Sequence, residues 1–392
     1  MSKIPFKSAD ILLPKEGFEK WAVVACDQYT SEPEYWEEVE KTVGDAPSAY
    51  RMIFPEAYLS DRPDQRIAAI NATMEKYLSE GVFTEYKDAI FYTERTQRDG
   101  RVLQGLIGAI DLEAYDYNKG STTPIRATEG TILDRIPPRV KIRKDAAIEL
   151  PHIIFLIDDP TNSVIAPVCE RKGDLQPLYD FELMQGGGRA AAWLVDDNSA
   201  VLSALEALTD GKQLKFAIGD GNHSLATAKA CYAADPTPEN RYALVQLVNI
   251  HDAALDFEPI YRVLFGADYV ELMSAAKEYF TEDENGQKIT VLHGDVSEVL
   301  SVAPKHTLPV GSLQLFLDEY LKSHPRVEID YVHGEEAVER LAKEGAISFI
   351  FEGMAKSDLF PAVENDGSLP RKTFSMGHAY DKRYYIEGRK IK

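Results

Sequence analysis

Cysteine is scarce in this sequence. Cys26, Cys169 and Cys231 are the only three in 392 residues, far apart and without a CxxC spacing. That excludes a disulfide framework and a structural zinc ribbon, and it suits a reducing compartment. Long apolar runs are also lacking. The longest are strand-sized, which excludes a transmembrane helix. Basic charge is in deficit: 43 Lys and Arg face 64 Asp and Glu, a formal net charge of −21. A general electrostatic grip on nucleic acid or on an anionic membrane is therefore excluded, although a small positive pocket for a phosphate is not. There is no internal repeat, no low-complexity tract, and neither a Walker pattern nor a dinucleotide fingerprint. The opening Met1-Ser2-Lys3-Ile4-Pro5-Phe6 has no apolar core of a signal peptide, so a cytoplasmic location is expected.

What is present is an ordinary globular composition, 44% apolar, in a chain long enough for two domains. Apolar periodicities of two and of 3.6 alternate along it, which predicts a mixed α/β (α+β) class. A strand is expected after residue 20, ending at Cys26-Asp27-Gln28-Tyr29. Helices are expected over 33–43 and 64–80, the second closed by Gly81. Strands 89–95 and 101–111 read as a hairpin around Gln97-Arg98-Asp99-Gly100. Further strands are expected at 152–157, 163–168, 189–195 and 242–250. Gly186-Gly187-Gly188 reads as a hairpin turn, because a strand follows it. A helix over 197–209 has Asp197, Asn198 or Ser199 as its cap. From 268 onward, helices at 269–282, 312–323 and 334–344 alternate with strands at 288–292, 327–331 and 347–351. The expected organisation is a main α/β domain over 1–267 carrying the site, with a C-terminal α/β region over 268–392 packed on it.

The densest chemistry lies in Ile218-Gly219-Asp220-Gly221-Asn222-His223-Ser224. An apolar strand precedes it and an alanine-rich helix former follows. Such a turn aims backbone N–H groups and the positive end of a helix at its occupant. Gly219 and Gly221 allow close backbone approach, and Asn222 or Ser224 is placed to cap the helix. Asp220 is a candidate ligand for a divalent cation, and His223 is a candidate acid, base or phosphate donor. The plain alternative is ordinary loop and cap chemistry.

Three other polar clusters sit at strand ends: Cys26-Asp27-Gln28-Tyr29; Arg126, Glu129, Thr131, Asp134 and Arg135; and Asn249, His251 and Asp252, with Arg262 beyond. Together they hold carboxylates for metal and base work and arginines for the charge of a transferring phosphoryl group. Each has a plainer reading. Cys26 reads as a small buried hydrophobe, Arg126 with Glu129 as a surface ion pair, and His152 as structural.

These residues, in this order, resemble the bacterial and archaeal domain-of-unknown-function family numbered 1015. The resemblance runs through Ala25 to Tyr29, Ala127-Thr128-Glu129-Gly130-Thr131 with Asp134-Arg135, Asp220 to Ser224, Val248 to Leu255 with Pro259-Ile260-Tyr261-Arg262, and Pro370-Arg371-Lys372-Thr373. The turn also resembles the phosphate-binding Gly-x-His-Arg element of the ParB and sulfiredoxin superfamily, some of whose members are free-serine kinases. The resemblance implies a ParB/sulfiredoxin-like mixed-sheet core. It also implies a nucleotide- and magnesium-dependent phosphotransferase, with ATP or ADP as the nucleotide and a serine-like hydroxyl compound as the other substrate. Free serine is the best-supported acceptor, or phosphoserine in the reverse direction.

The roles that follow are Asp220 on the metal or orienting the nucleophile, Glu129 as general base, and His223, Gly219, Gly221, Asn222 and Ser224 around phosphate. Arg126, Arg135 and Arg262 would meet its charge. No nucleic acid or membrane partner is expected, and a homodimer is one candidate assembly. The sequence departs from the family pattern in three places. Ser224 stands for an arginine, Asn222 for the first histidine, and Ala127 for the histidine before Thr-Glu. The cysteine that sulfiredoxin chemistry needs is not in the turn. The Ser224 departure favours the alternative, a nucleotide-binding sensor without catalysis.

Overall fold

The computed structural model describes residues 4–392; Met1, Ser2 and Lys3, which open the segment read for a signal peptide, lie outside the described residues. The chain forms two compact units. The first takes the residues up to Ala127, then Thr131–Leu255 and Gly377–Lys392; the second takes Thr128–Gly130 and Asp256–Met376. The architecture is mixed α/β in both, as the periodicities predict.

The first unit is organised by a nine-stranded mixed sheet. Its order runs Gln176–Glu182, Arg189–Leu194, Phe91–Thr96, Val102–Asp111, Tyr242–Asn249, Ile154–Ile157, Phe216–Asp220 and Ile125–Ala127, with Phe6–Lys7 also paired to Val102–Asp111. Alternation along the strands splits the core into two layers. Tyr92, Leu106 and Val245 point to the face where Val201, Leu205, Leu225 and Ala228 of the Asn198–Thr209 and Asn222–Ala234 helices are buried. Phe91, Ile107 and Leu244 point to the other, which is covered by Trp36 and Val39 of Pro33–Val43 and by Ile70 and Met74 of Pro63–Ser79.

The second unit is built on an antiparallel sheet in the order Val296–Val302, Glu282–His293, Ile347–Phe351, Phe257–Phe265 and Glu328–His333, with Phe374–Met376 also paired to Phe257–Phe265. The helices Tyr269–Tyr279, Pro309–Ser323, Glu335–Lys343 and Leu359–Asp366 belong to this unit.

Two expected elements differ. The apolar run at 163–168 is not a strand: Ala166–Glu170 is a short helix with Pro167 in its first turn. The buried carboxylate of Asp159 takes the Val164 amide at 2.9 Å and the Ser163 hydroxyl at 3.2 Å, which turns the chain before a strand can extend. The segment after residue 20 begins as the helical turn Phe18–Trp21, and only Val23–Val24 is strand.

Candidate functional site

The Phe216–Asp220 strand buries Phe216, Ala217 and Ile218 completely and delivers Asp220 at its end. The pairing with Ile154–Ile157 slips between Ile218 and Asp220, so Gly219 occupies a bulge. Gly221 then turns the chain into the Asn222–Ala234 helix with φ +80°. A Cβ there would lie 2.9 Å from the Ile153 Cα. Both the left-handed backbone and the close approach therefore require glycine.

Gly221 is the N-cap, and no side chain caps this helix. The expectation that Asn222 or Ser224 does so is corrected. Ser224 Oγ lies 3.3 Å from His152 Nε2 instead, and Asn222 Oδ1 is buried without a hydrogen-bond partner among the described residues. The first-turn amides of Asn222, His223 and Ser224 are thus left uncapped, with the positive end of the helix behind them.

Asp220 faces this helix start. Its Oδ1 accepts the Gly221 amide at 2.8 Å, and its Oδ2 lies 3.2 Å from Lys382 Nζ. Lys382 comes from near the C-terminus, and no local sequence pattern marks it. His223 Nε2 accepts the Ile132 amide at 3.2 Å, so the proton of the neutral ring sits on Nδ1. Burial, with the charges of Arg139 and Arg135, pushes its pKa down to about 4. His223 is therefore neutral at neutral pH, and the positive charge around the turn belongs to lysine and arginine.

The Ile136–Arg143 helix, unforeseen in the sequence, packs alongside Asn222–Ala234. Arg135 is its N-cap residue and is exposed. Arg139, one turn on, donates to the Arg135 carbonyl at 2.9 Å and pairs with Glu56.

The Cys26–Tyr29 cluster meets the same helix start through His152. His152 Nδ1 lies 2.7 Å from the Tyr385 hydroxyl, which donates to Cys26 Sγ at 3.2 Å. Asp27 Oδ2 is 3.9 Å from His152 Nε2, and Asp27 Oδ1 accepts from Gln28 at 3.0 Å. Burial works against charge on Asp27, but His152, Gln28 and Lys382 outweigh it and hold the carboxyl below the usual range. Burial and the neighbouring Asp27 push the Cys26 thiol up to about 11, so it is no nucleophile at neutral pH. Beside these groups is a cavity of about 150 Å³ bordered by Cys26, His152, Ser224, Thr227 and Tyr385.

The remaining expected residues each have contacts of their own. Arg126 is buried and donates to the carbonyls of Thr123 at 3.1 Å and Thr122 at 3.3 Å, in its own loop. Glu129 belongs to the second unit, where its Oε1 accepts the Lys372 amide at 3.2 Å. Arg262, in the same unit, is fully buried. It donates to Gln314 Oε1 at 3.0 Å, to the carbonyls of Lys372 and Arg371 at 2.9 Å each, and to the Ile260 carbonyl.

Asn249, His251 and Asp252 lie at the opposite end of the sheet from the turn. Ile154 pairs with Asp220, whereas Asn249 pairs with Ile157 three residues along the same strand. There His251 Nε2 pairs with Asp158 at 2.7 Å. Among the described residues, no group of three or more His, Cys, Asp or Glu is placed to hold a metal ion. No helix among them is long and apolar enough to cross a membrane.

The first unit is thus an α/β scaffold that presents an uncapped helix start, a carboxylate–ammonium pair and flanking arginines at one end of a mixed sheet. Over residues 4–324 the sequence matches the family model described as protein of unknown function (DUF1015), and the chain belongs to that family. No curated protein matches it. Among solved structures, free serine kinase in complex with AMP is similar at 14% identity and TM-score 0.41, over 72% of this chain and 91% of that one. A variant of free serine kinase in complex with ADP is similar at 12% identity and TM-score 0.43, over 76% and 95%. A C-terminally truncated SbnI from Staphylococcus aureus is similar at 10% identity and TM-score 0.38, over 71% and 85%.

Proposed function

We propose that this protein is a nucleotide-dependent phosphotransferase acting on a small hydroxyl compound. Free serine is the first acceptor to test, and release of serine from phosphoserine is the reverse reaction. The observation that carries the reading is the uncapped helix start at Gly221 beside the Asp220–Lys382 pair. Uncapped amides, a helix dipole and a partly buried ammonium favour a phosphate group together. In this reading the amides of Asn222, His223 and Ser224 with Lys382 hold the phosphate. Arg135 meets the charge of the transferring group, and Asp220 keeps Lys382 and the turn in register.

The residues present do not fit a magnesium ion held by the protein alone. Lys382 stands on one oxygen of Asp220 and the Gly221 amide on the other. In this reading magnesium arrives on the nucleotide phosphates, as it commonly does.

The test is phosphorus NMR of the protein with magnesium, ATP or ADP and free serine, then with phosphoserine, beside Asp220→Asn. A phosphoserine signal that the variant lacks supports the reading. A second reading, a nucleotide sensor without catalysis, draws on Ser224 standing where the family pattern has arginine. It expects stoichiometric nucleotide binding with no product in either direction.

A further inference from the structure

The cavity beside the turn has a composition that bears on the acceptor. Its walls are apolar: Met52, Phe54, Met74, Ile142 and Ile148 all border it. Its polar side is Cys26, His152, Ser224 and Tyr385, all four joined in a chain by the hydrogen bonds described above. Ser224 and Thr227 come from the first turns of the Asn222–Ala234 helix, so the cavity and the helix start share one element.

Three charged side chains border the cavity, and all three are in ion pairs. Arg139 pairs with Glu56. Glu149 takes Arg143 at 2.6 Å and Arg389 at 2.7 Å, and it also accepts the Leu244 amide at 2.9 Å. The one carboxylate on the lining is therefore saturated, and none is left to meet an ammonium. The group Arg143–Glu149–Arg389 carries one net positive charge, and Arg143 Nε is buried without a hydrogen-bond acceptor. A buried N–H on a guanidinium is costly to leave unpaired and is well suited to a carboxylate. An ammonium in the same space would lose its water with no unpaired carboxylate on the lining to balance its charge.

We infer that this cavity binds a small hydroxy-carboxylic acid with an apolar body and no amino group. The carboxylate meets Arg143, the apolar body packs on the methionines and isoleucines, and the hydroxyl lies on the side of His152 and Ser224. Calling this acid the phosphoryl acceptor rests on the proposed phosphotransfer and places it ahead of free serine in that role; its binding does not rest on it.

The experiment is calorimetric titration of the whole protein, without nucleotide, using two probes. β-Hydroxyisobutyrate has the hydroxyl and carboxylate of serine with a methyl in place of the ammonium; free serine is the other. The expected result is that β-hydroxyisobutyrate binds at least about tenfold tighter than serine, and that folded Ile142→Trp, which fills the cavity, weakens it by about tenfold or more. Equal or tighter binding of serine overturns the inference, as does failure of β-hydroxyisobutyrate to bind or unchanged binding in the variant. A separate ADP titration reports on the phosphotransfer reading. Acid binding without ADP binding sinks that reading and leaves this one standing. ADP binding without acid binding does the reverse.

Discussion

Lys382 Nζ stands 3.2 Å from Asp220 Oδ2 and joins residues 162 positions apart in the chain. Each side chain keeps about a fifth of its surface exposed, 19% for the lysine and 22% for the aspartate. A pair this accessible contributes only about 1 kcal/mol to stability. In the proposed phosphotransfer its importance lies in holding an ammonium beside the Asp220 end of the turn. Asp220→Asn is expected to abolish phosphoryl transfer while the thermal melt moves little, because the amide oxygen still accepts the Gly221 N–H. Lys382→Met is expected to weaken ADP binding by about tenfold or more. A fully active Asp220→Asn protein, or unchanged ADP affinity in Lys382→Met, removes the pair from the site.

Gly221 makes a sharper structural demand. At φ +80°, with a would-be Cβ 2.9 Å from the Ile153 Cα, alanine meets both backbone strain and a main-chain clash. The left-handed conformation alone costs about 1–2 kcal/mol, and displacing Ile153 adds to it. Gly221→Ala should lower unfolding stability by about 2–4 kcal/mol in urea titration and weaken ADP binding at the same time. A variant as stable as the parent would mean that the strand-to-helix turn is looser than its geometry.

The pH dependence of stability should carry the signature of His223. Its folded pKa is about 4, below the usual value of 6.5, through burial and the nearby Arg139 and Arg135. Between those values the unfolded chain takes up a proton that the folded protein refuses. Its stabilising contribution is thus fully present above about pH 6.5 and drains away as pH falls toward 4. The side chain is partly exposed, so solvent screening tempers the effect. His223→Gln should flatten the slope of melting temperature over this window and leave it unchanged above pH 7. The same slope in both proteins would mean that His223 titrates normally.

Much of this was legible in the sequence where local signals agree. Pro33 in the first turn and Gly44 just past the end bound the Pro33–Val43 helix, and both follow from backbone chemistry. The hairpin around Asp99-Gly100 pairs Phe91 with Ile107 as its turn residues demand. Asp197 caps the Asn198–Thr209 helix with its side chain on the Ala200 amide at 3.0 Å. The site was legible only in part, because long-range pairing assembles it. Asp220 and Asn249 both end apolar strands, yet they sit at opposite ends of the sheet, since one strand runs antiparallel and the other parallel to Ile154–Ile157. Nothing in a linear pattern reports that direction. Lys382 and His152 were invisible as partners of the turn for the same reason. The Phe257–Phe265 strand was obscured by Pro259, which is tolerated where the strand pairs with Phe374 at its end.

Arg262 gives the clearest separation between a phosphate ligand and a structural cation. Its guanidinium is fully buried and its donors go to Gln314 and to the carbonyls of Ile260, Arg371 and Lys372. Lys372 itself has φ +53°, a backbone state that needs support from outside. Arg262→Met would strip these carbonyls of their donors while keeping most of the volume, and breaking such a buried charged network costs about 3–5 kcal/mol. The carbonyls it releases belong to Arg371 and Lys372, both residues after which trypsin cuts. The expected outcome is a lower melting temperature together with faster tryptic cleavage at Arg371 and Lys372, at conditions where the parent resists. A phosphate-binding role predicts the opposite pattern, with ADP affinity lost while the melt and the digestion stay as they were.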